Sequence, residues 1–95
     1  MLRLLGVGSI GGGCPALYDT DTDALVVQGR STRDGTAVLV PRGLLDWAEP
    51  GMTLVGEPTE DTDTVLIAGA PVDEGTREKL MLDDDETAVL VPRRP

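Results

Sequence analysis

A handful of places in this 95-residue chain carry residue types that could do chemistry. Cys14 is the single cysteine and the one candidate nucleophile. The chain has no histidine, so the commonest activating base and the commonest metal ligand are both missing. Cys14 sits in Gly11-Gly12-Gly13-Cys14-Pro15 and reads as an incidental thiol, with a mixed disulfide to a partner left open. One cysteine forms no internal disulfide, which fits a reducing cytoplasm. The glycines before it do not make a phosphate loop, because no Gly-Lys-Ser/Thr follows. Asp19-Thr20-Asp21-Thr22-Asp23 starts like a calcium loop. The sixth and twelfth places of that pattern need Gly and Glu, and here they hold Ala24 and Arg30. The run therefore reads as a solvated turn, and so does Asp83-Asp84-Asp85-Glu86. Carboxylate pairs for glycoside chemistry need a partly buried cleft, and the chain has only Tyr18 and Trp47 to line one. Trp47 reads as core, with an interface anchor as the other reading. The expectation is no catalytic, cofactor or metal site, and a partner surface drawn from Trp47, Asp83, Asp84, Asp85 and Glu86.

Charge sharpens that expectation. The net charge is −9, from 17 acidic and 8 basic residues. Positions 57–86 hold eleven of the acids against Arg77 and Lys79, and the remainder carries six of each sign. One region thus owns the whole excess. A surface of that sign repels nucleic acid, whose binding runs on Lys and Arg, and attracts a basic protein. The bland alternative is that the acids keep a small protein soluble. Neither a long apolar N-terminal run nor a stretch of roughly 20 apolar residues is present, so neither a signal peptide nor a transmembrane helix is expected.

The elements that must position these residues are written twice. Thr36-Ala37-Val38-Leu39-Val40-Pro41-Arg42 returns unchanged as Thr87 to Arg93, and Asp21 to Gly29 is answered by Asp61 to Gly69. The chain is short enough for one domain. Residues 1–13 are expected as a flexible glycine-rich segment, although 1–5 could also pair as an edge strand. Residues 14–95 are expected as one domain of two related β units, about 14–56 and 57–95. Strands are expected at 16–18, 24–29, 36–40, 52–55, 64–69 and 87–91, with Arg30 to Gly35 and Gly56 to Thr59 as connections. Pro41 would open a short helix over 43–48, and Asp73 would cap a second over 76–82 with Val72, Thr76 and Leu80 on one face. Period-two alternation points Val38, Val40, Val89 and Val91 into a shared core and turns Leu39 and Leu90 to an opposite, covered face. The fold class is mainly β (α+β), an internally duplicated small sandwich or barrel. With no Phe, its core must be aliphatic, and a thin core with matched sheet edges favours a homodimer.

Gly13-Cys14-Pro15-Ala16-Leu17-Tyr18, Leu25-Val26-Val27-Gln28-Gly29-Arg30, Glu49-Pro50-Gly51 and Glu86-Thr87-Ala88-Val89-x-Val91-Pro92 resemble a group of small, uncharacterised actinobacterial proteins. The likeness covers nearly all of 13–92. The group is distantly similar to BldB-like proteins, which are linked to helix-turn-helix regulators and development. Arg77-Glu78-Lys79-Leu80-x-Leu82 with Asp85-Glu86-x-Ala88-Val89 resembles AbrB-type swapped-hairpin DNA binders, and Val38-x-Val40-Pro41 to Pro50-Gly51 echoes their Val-x-Ile-Pro to Pro-Gly stretch. The leading expectation, a non-enzymatic regulatory or adaptor protein for a basic partner, rests on the −9 confined to 57–86 and the absence of catalytic equipment, and the BldB likeness implies a helix-turn-helix regulator as that partner. The AbrB likeness implies interleaved strands in a dimer and a DNA-binding regulator or antitoxin. That rival reading needs Arg3, Arg30, Arg33, Arg42, Arg93 and Arg94 on one face, away from the acids.

Overall fold

The computed structural model describes residues 2–8, 15–20, 22–32, 35–80, 82 and 84–92. Among these residues eight strands form one antiparallel sheet: β1 (Arg3–Val7), β2 (Ala16–Asp19), β3 (Ala24–Thr32), β4 (Ala37–Pro41), β5 (Glu57–Pro58), β6 (Thr64–Ala68), β7 (Ala70–Pro71) and β8 (Glu86–Pro92). A 3₁₀ turn spans Arg42–Trp47, and the one α-helix among the described residues, α1, spans Glu74–Lys79. The protein is mainly β, as its runs of Val, Leu and Thr require.

The pairings run in a ring. β3 pairs with β8, β8 with β7, and Gly69 carries the chain from β7 back into β6. β6 pairs with β4, and β4 pairs with the end of β3. β2 and then β1 extend the sheet from the other part of β3, and β5 adds to β6. The pairing follows the repeats in the sequence. Leu25 faces Val91 as Val65 faces Val40, and Val27 faces Val89 as Ile67 faces Val38. Arg30 faces Leu39 as Ala70 faces Leu90.

Alternation then fills the interior. Leu25, Val27, Val38, Val40, Val65, Ile67, Val89 and Val91 form one aliphatic cluster, joined by Leu17 and by Leu44 from the 3₁₀ turn. Each such side chain, fully buried, contributes about 1.5–3 kcal/mol. The opposite face carries a smaller cluster of Val26, Val72, Leu80 and Ala88, with Tyr18, Leu82 and Leu90 packed on it. Leu90 is covered there as its apolar character demands, whereas Leu39 lines a groove.

Two close approaches explain two glycines. A Cβ at Gly29 would lie 2.6 Å from Val40 and 2.7 Å from the Leu39 carbonyl oxygen, and one at Gly69 would overlap the Leu90 carbonyl oxygen. These matched glycines sit where the ring turns from one pairing partner to the next.

Several expectations need correction. Arg3–Val7 is a strand, so the flexible segment expected over 1–13 does not hold there; apolar residues flank Gly6, which is buried. β3 runs through Arg30 to Thr32 rather than turning, because those residues find partners on β4. Residues 52–55 stay outside the ladder, and pairing begins instead at Glu57–Pro58. Met52 and Leu54 nevertheless pack on the main cluster while Thr53 and Val55 are exposed. Pro41 closes β4 and caps the short helix expected over 43–48, which forms as a 3₁₀ helix over Arg42–Trp47. Trp47 is not core. It is 51% exposed and lies against Gly6, where a Cβ would overlap its indole ring.

Candidate partner-binding groove

The site is built from the repeated motif upward. Pro41 ends β4, and Arg42 follows at the start of the 3₁₀ turn. The Arg42 backbone N–H donates to the Asp63 carbonyl at 2.8 Å, and its Nε donates to the Thr62 carbonyl at 3.0 Å. The Asp61–Asp63 turn is therefore gripped by the residue that ends the repeat. The turn is also stiffened from within. Asp61 Oδ1 accepts from the Asp63 N–H at 2.9 Å and Oδ2 accepts from the Thr64 hydroxyl at 3.2 Å. The Thr59 hydroxyl accepts from the Asp61 N–H at 3.1 Å. Such local side-chain bonds are what Asp and Thr favour in turns.

On the adjoining wall, the entry to β8 is pinned by the Ser31 N–H donating to the Asp85 carbonyl at 2.8 Å. Cross-strand pairing sets Arg30 opposite Glu86. Glu86 is buried at 7% exposure, whereas Asp84 and Asp85 are exposed. Between these walls lies a groove of about 810 Å³ with Leu39, Val40 and Pro41 in its lining. Asp46, Asp61, Asp63, Asp85 and Glu86 line it together with Arg30 and Arg42. Acids outnumber bases, so the groove favours a cation.

The acidic run at 83–86 is thus divided. Asp85 and Glu86 line the groove, Asp84 is exposed in the turn, and Asp83 lies outside the described residues. Trp47 is not part of the groove lining; it covers β1. Sequence reasoning missed Asp46, Asp61 and Asp63. The signal was in the text, since each repeat pairs an Asp-Thr-Asp turn with a Val-Pro-Arg ending, and here Arg42 holds the Asp61–Asp63 turn.

The remaining candidates are apart. Cys14, Asp21, Arg33, Arg93 and Arg94 lie outside the described residues. Asp19 does not sit in a solvated turn: it is buried at the end of β2, where Arg3 Nη2 donates to its Oδ2 at 2.9 Å. The same guanidinium donates to Glu49 at 2.6 Å, and the Glu49 and Asp19 carboxylates push its pKa above its ordinary value. Among the described residues no three acids or thiols are grouped to hold a metal ion. No described helix is long and apolar enough to cross a membrane. No family model, curated protein or solved structure matches the chain.

Proposed function

We propose that this chain is a small, non-enzymatic regulatory or adaptor protein that binds a basic segment of a protein partner in the acidic groove. The observation that carries this reading is the convergence of Asp46, Asp61, Asp63, Asp85 and Glu86 on one groove with an apolar lining. Four of those positions come from the acid-rich region 57–86 expected to face a partner, and the apolar lining suits the aliphatic stems of Lys and Arg. Charge complementarity of this kind sets encounter rate and specificity more than raw affinity.

The test is calorimetric titration of the chain with an extended lysine- and arginine-rich peptide. Screening predicts strong heats at about 0.02 M salt that fade at about 0.5 M. The triple variant Asp46→Lys, Asp63→Lys, Asp85→Lys alters exposed side chains and should abolish the heats without lowering Tm. Equal binding by the triple variant, or no binding at low salt, would sink the proposal.

The swapped-hairpin DNA-binding reading draws support from one observation, the interleaving of β3 with β8 and of β4 with β6. The described arginines weigh the other way. Arg3 is paired with Asp19 and Glu49, and Arg30 and Arg42 share their groove with acids. A duplex DNA arm in the same titration separates the two readings. Salt-sensitive heats with DNA and none with the basic peptide would favour the regulator.

A further inference from the structure

We infer that the basic segment held in the groove is amphipathic. It lays two aliphatic side chains on Leu39 and Leu66, as the chain's own Val72 and Leu80 lie on Leu90 and Val26. The inference rests on the acidic-groove reading and names the form of partner that the groove takes. Leu39 and Leu90 are the middle residues of the two identical stretches. Each belongs to a row of directly paired residues. One row runs Ala70, Leu90, Val26, Tyr18 through β7, β8, β3 and β2. The other runs Arg30, Leu39, Leu66, Glu57 through β3, β4, β6 and β5. Directly opposed residues on neighbouring strands share a face, so each row is a strip of adjacent side chains.

The first row finds its cover within the chain. Thr87 follows Gly69 by eighteen residues, and that long connection holds Val72, α1 and Leu80. Val72 and Leu80 cluster with Val26, and Leu90 and Tyr18 pack against them. Thr36 follows Gly29 by only seven residues, of which Arg30 to Thr32 stay in β3, so no comparable segment is left to cross the second row. Leu39 and Leu66 accordingly join neither aliphatic cluster among the described residues. Leu66 is partly exposed where its counterpart Val26 is buried. The molecule thus displays the cover that such a pair accepts: one aliphatic residue, a short helix, and a second aliphatic residue. The charge of the missing cover is set by the groove. Leu39 shares its lining with Asp46, Asp63 and Asp85. Those three side chains are exposed, and no hydrogen bond or ion pair from a described residue engages their carboxylates. Asp61, by contrast, is committed to its own turn. The opposing cations are placed otherwise: Arg30 is set across from Glu86, and Arg42 Nε donates to the Thr62 carbonyl. The uncommitted charge is acidic. It selects Lys or Arg between the two aliphatic residues, where the chain's own cover carries Asp73, Glu74 and Glu78.

Calorimetric titration of the full chain with synthetic peptides at about 0.05 M salt tests this. The first peptide has the sequence of 71–82 with Asp73→Lys, Glu74→Lys and Glu78→Lys. The second adds Val72→Ser, Leu80→Ser and Leu82→Ser, which leaves its charge the same. The first should bind about tenfold more tightly or better, from the apolar surface it buries. Leu39→Thr and Leu66→Thr in the protein, each a strand-forming replacement with circular dichroism unchanged, should bring that ratio down to about one. Equal binding of the two peptides by the native chain, or a ratio that survives both threonine variants, would overturn the inference and leave the acidic groove standing. Binding of neither peptide would overturn the groove reading and this inference with it. The unaltered 71–82 peptide should bind more weakly than the first; equal affinity would show that charge does not select the cover and would overturn the basic pattern.

Discussion

At the scale of single residues, the clearest case is the cap of α1. The Asp73 side chain accepts from the Thr76 N–H at 2.7 Å. The Thr76 side chain and then its N–H hold the Asp73 carboxyl below its ordinary value of 3.8. A lowered carboxyl contributes stability above its unfolded value and loses it as pH falls through the folded one. Asp73→Ala should therefore lower Tm at neutral pH, and the gap from the native chain should close as pH drops below the ordinary carboxylate range. Thermal melts of both proteins from neutral to acid pH check this. A second residue-scale expectation concerns the sole tryptophan. Gly6→Ala leaves no room for the indole, so Trp47 must move outward, and its emission should shift to the red. Emission unchanged from the native chain would show that Trp47 does not rest on Gly6.

Elements respond to backbone room. Gly29 and Gly69 occupy matched places in the two repeats, and each has backbone or branched side chain where a Cβ would go. Gly43, by contrast, has nothing within 4 Å of an added Cβ. Gly29→Ala and Gly69→Ala should each cost about 1–3 kcal/mol by overpacking, read as a fall in the denaturant midpoint, and Gly43→Ala should cost much less. Leu44→Ala removes the 3₁₀ turn's contribution to the main cluster and should cost about 2–5 kcal/mol. Much at this scale was legible in the sequence. The repeated strands, the inward valines, the Asp73 cap and the Val72/Leu80 face all follow from periodicity and capping rules. What escaped depended on distant partners. Ser31 and Thr32 look like turn residues until β4 lies beside them, and nothing local says that Glu57 and Pro58 will find β6 before Met52–Val55 does. The groove escaped for the same reason. Asp46, Asp61 and Asp85 are far apart in the chain, and only the closing of the ring brings them to one mouth.

For the whole molecule, charge and topology matter most. The excess of nine negative charges repels itself, and its effect reaches about 8 Å at physiological ionic strength. Adding salt up to that level should raise Tm, whereas it should weaken any basic peptide held in the groove; melts and titrations in the same buffers distinguish the two. Topology has a further consequence for the covalent chain. The long ladders, β3 with β8 and β4 with β6, each join the first half of the chain to the second, while the ladders inside the second half involve only two-residue strands. A break in the stretch 49–56 would therefore leave a second fragment without its long ladders and a first fragment without about half of its strand pairing, with the aliphatic interior divided between them. Each alone should be unfolded, and mixing them should restore the native circular dichroism. The covalent link would then serve to fix the ratio and local concentration of two complementary halves, and the two could be carried on separate proteins as a reporter of their meeting.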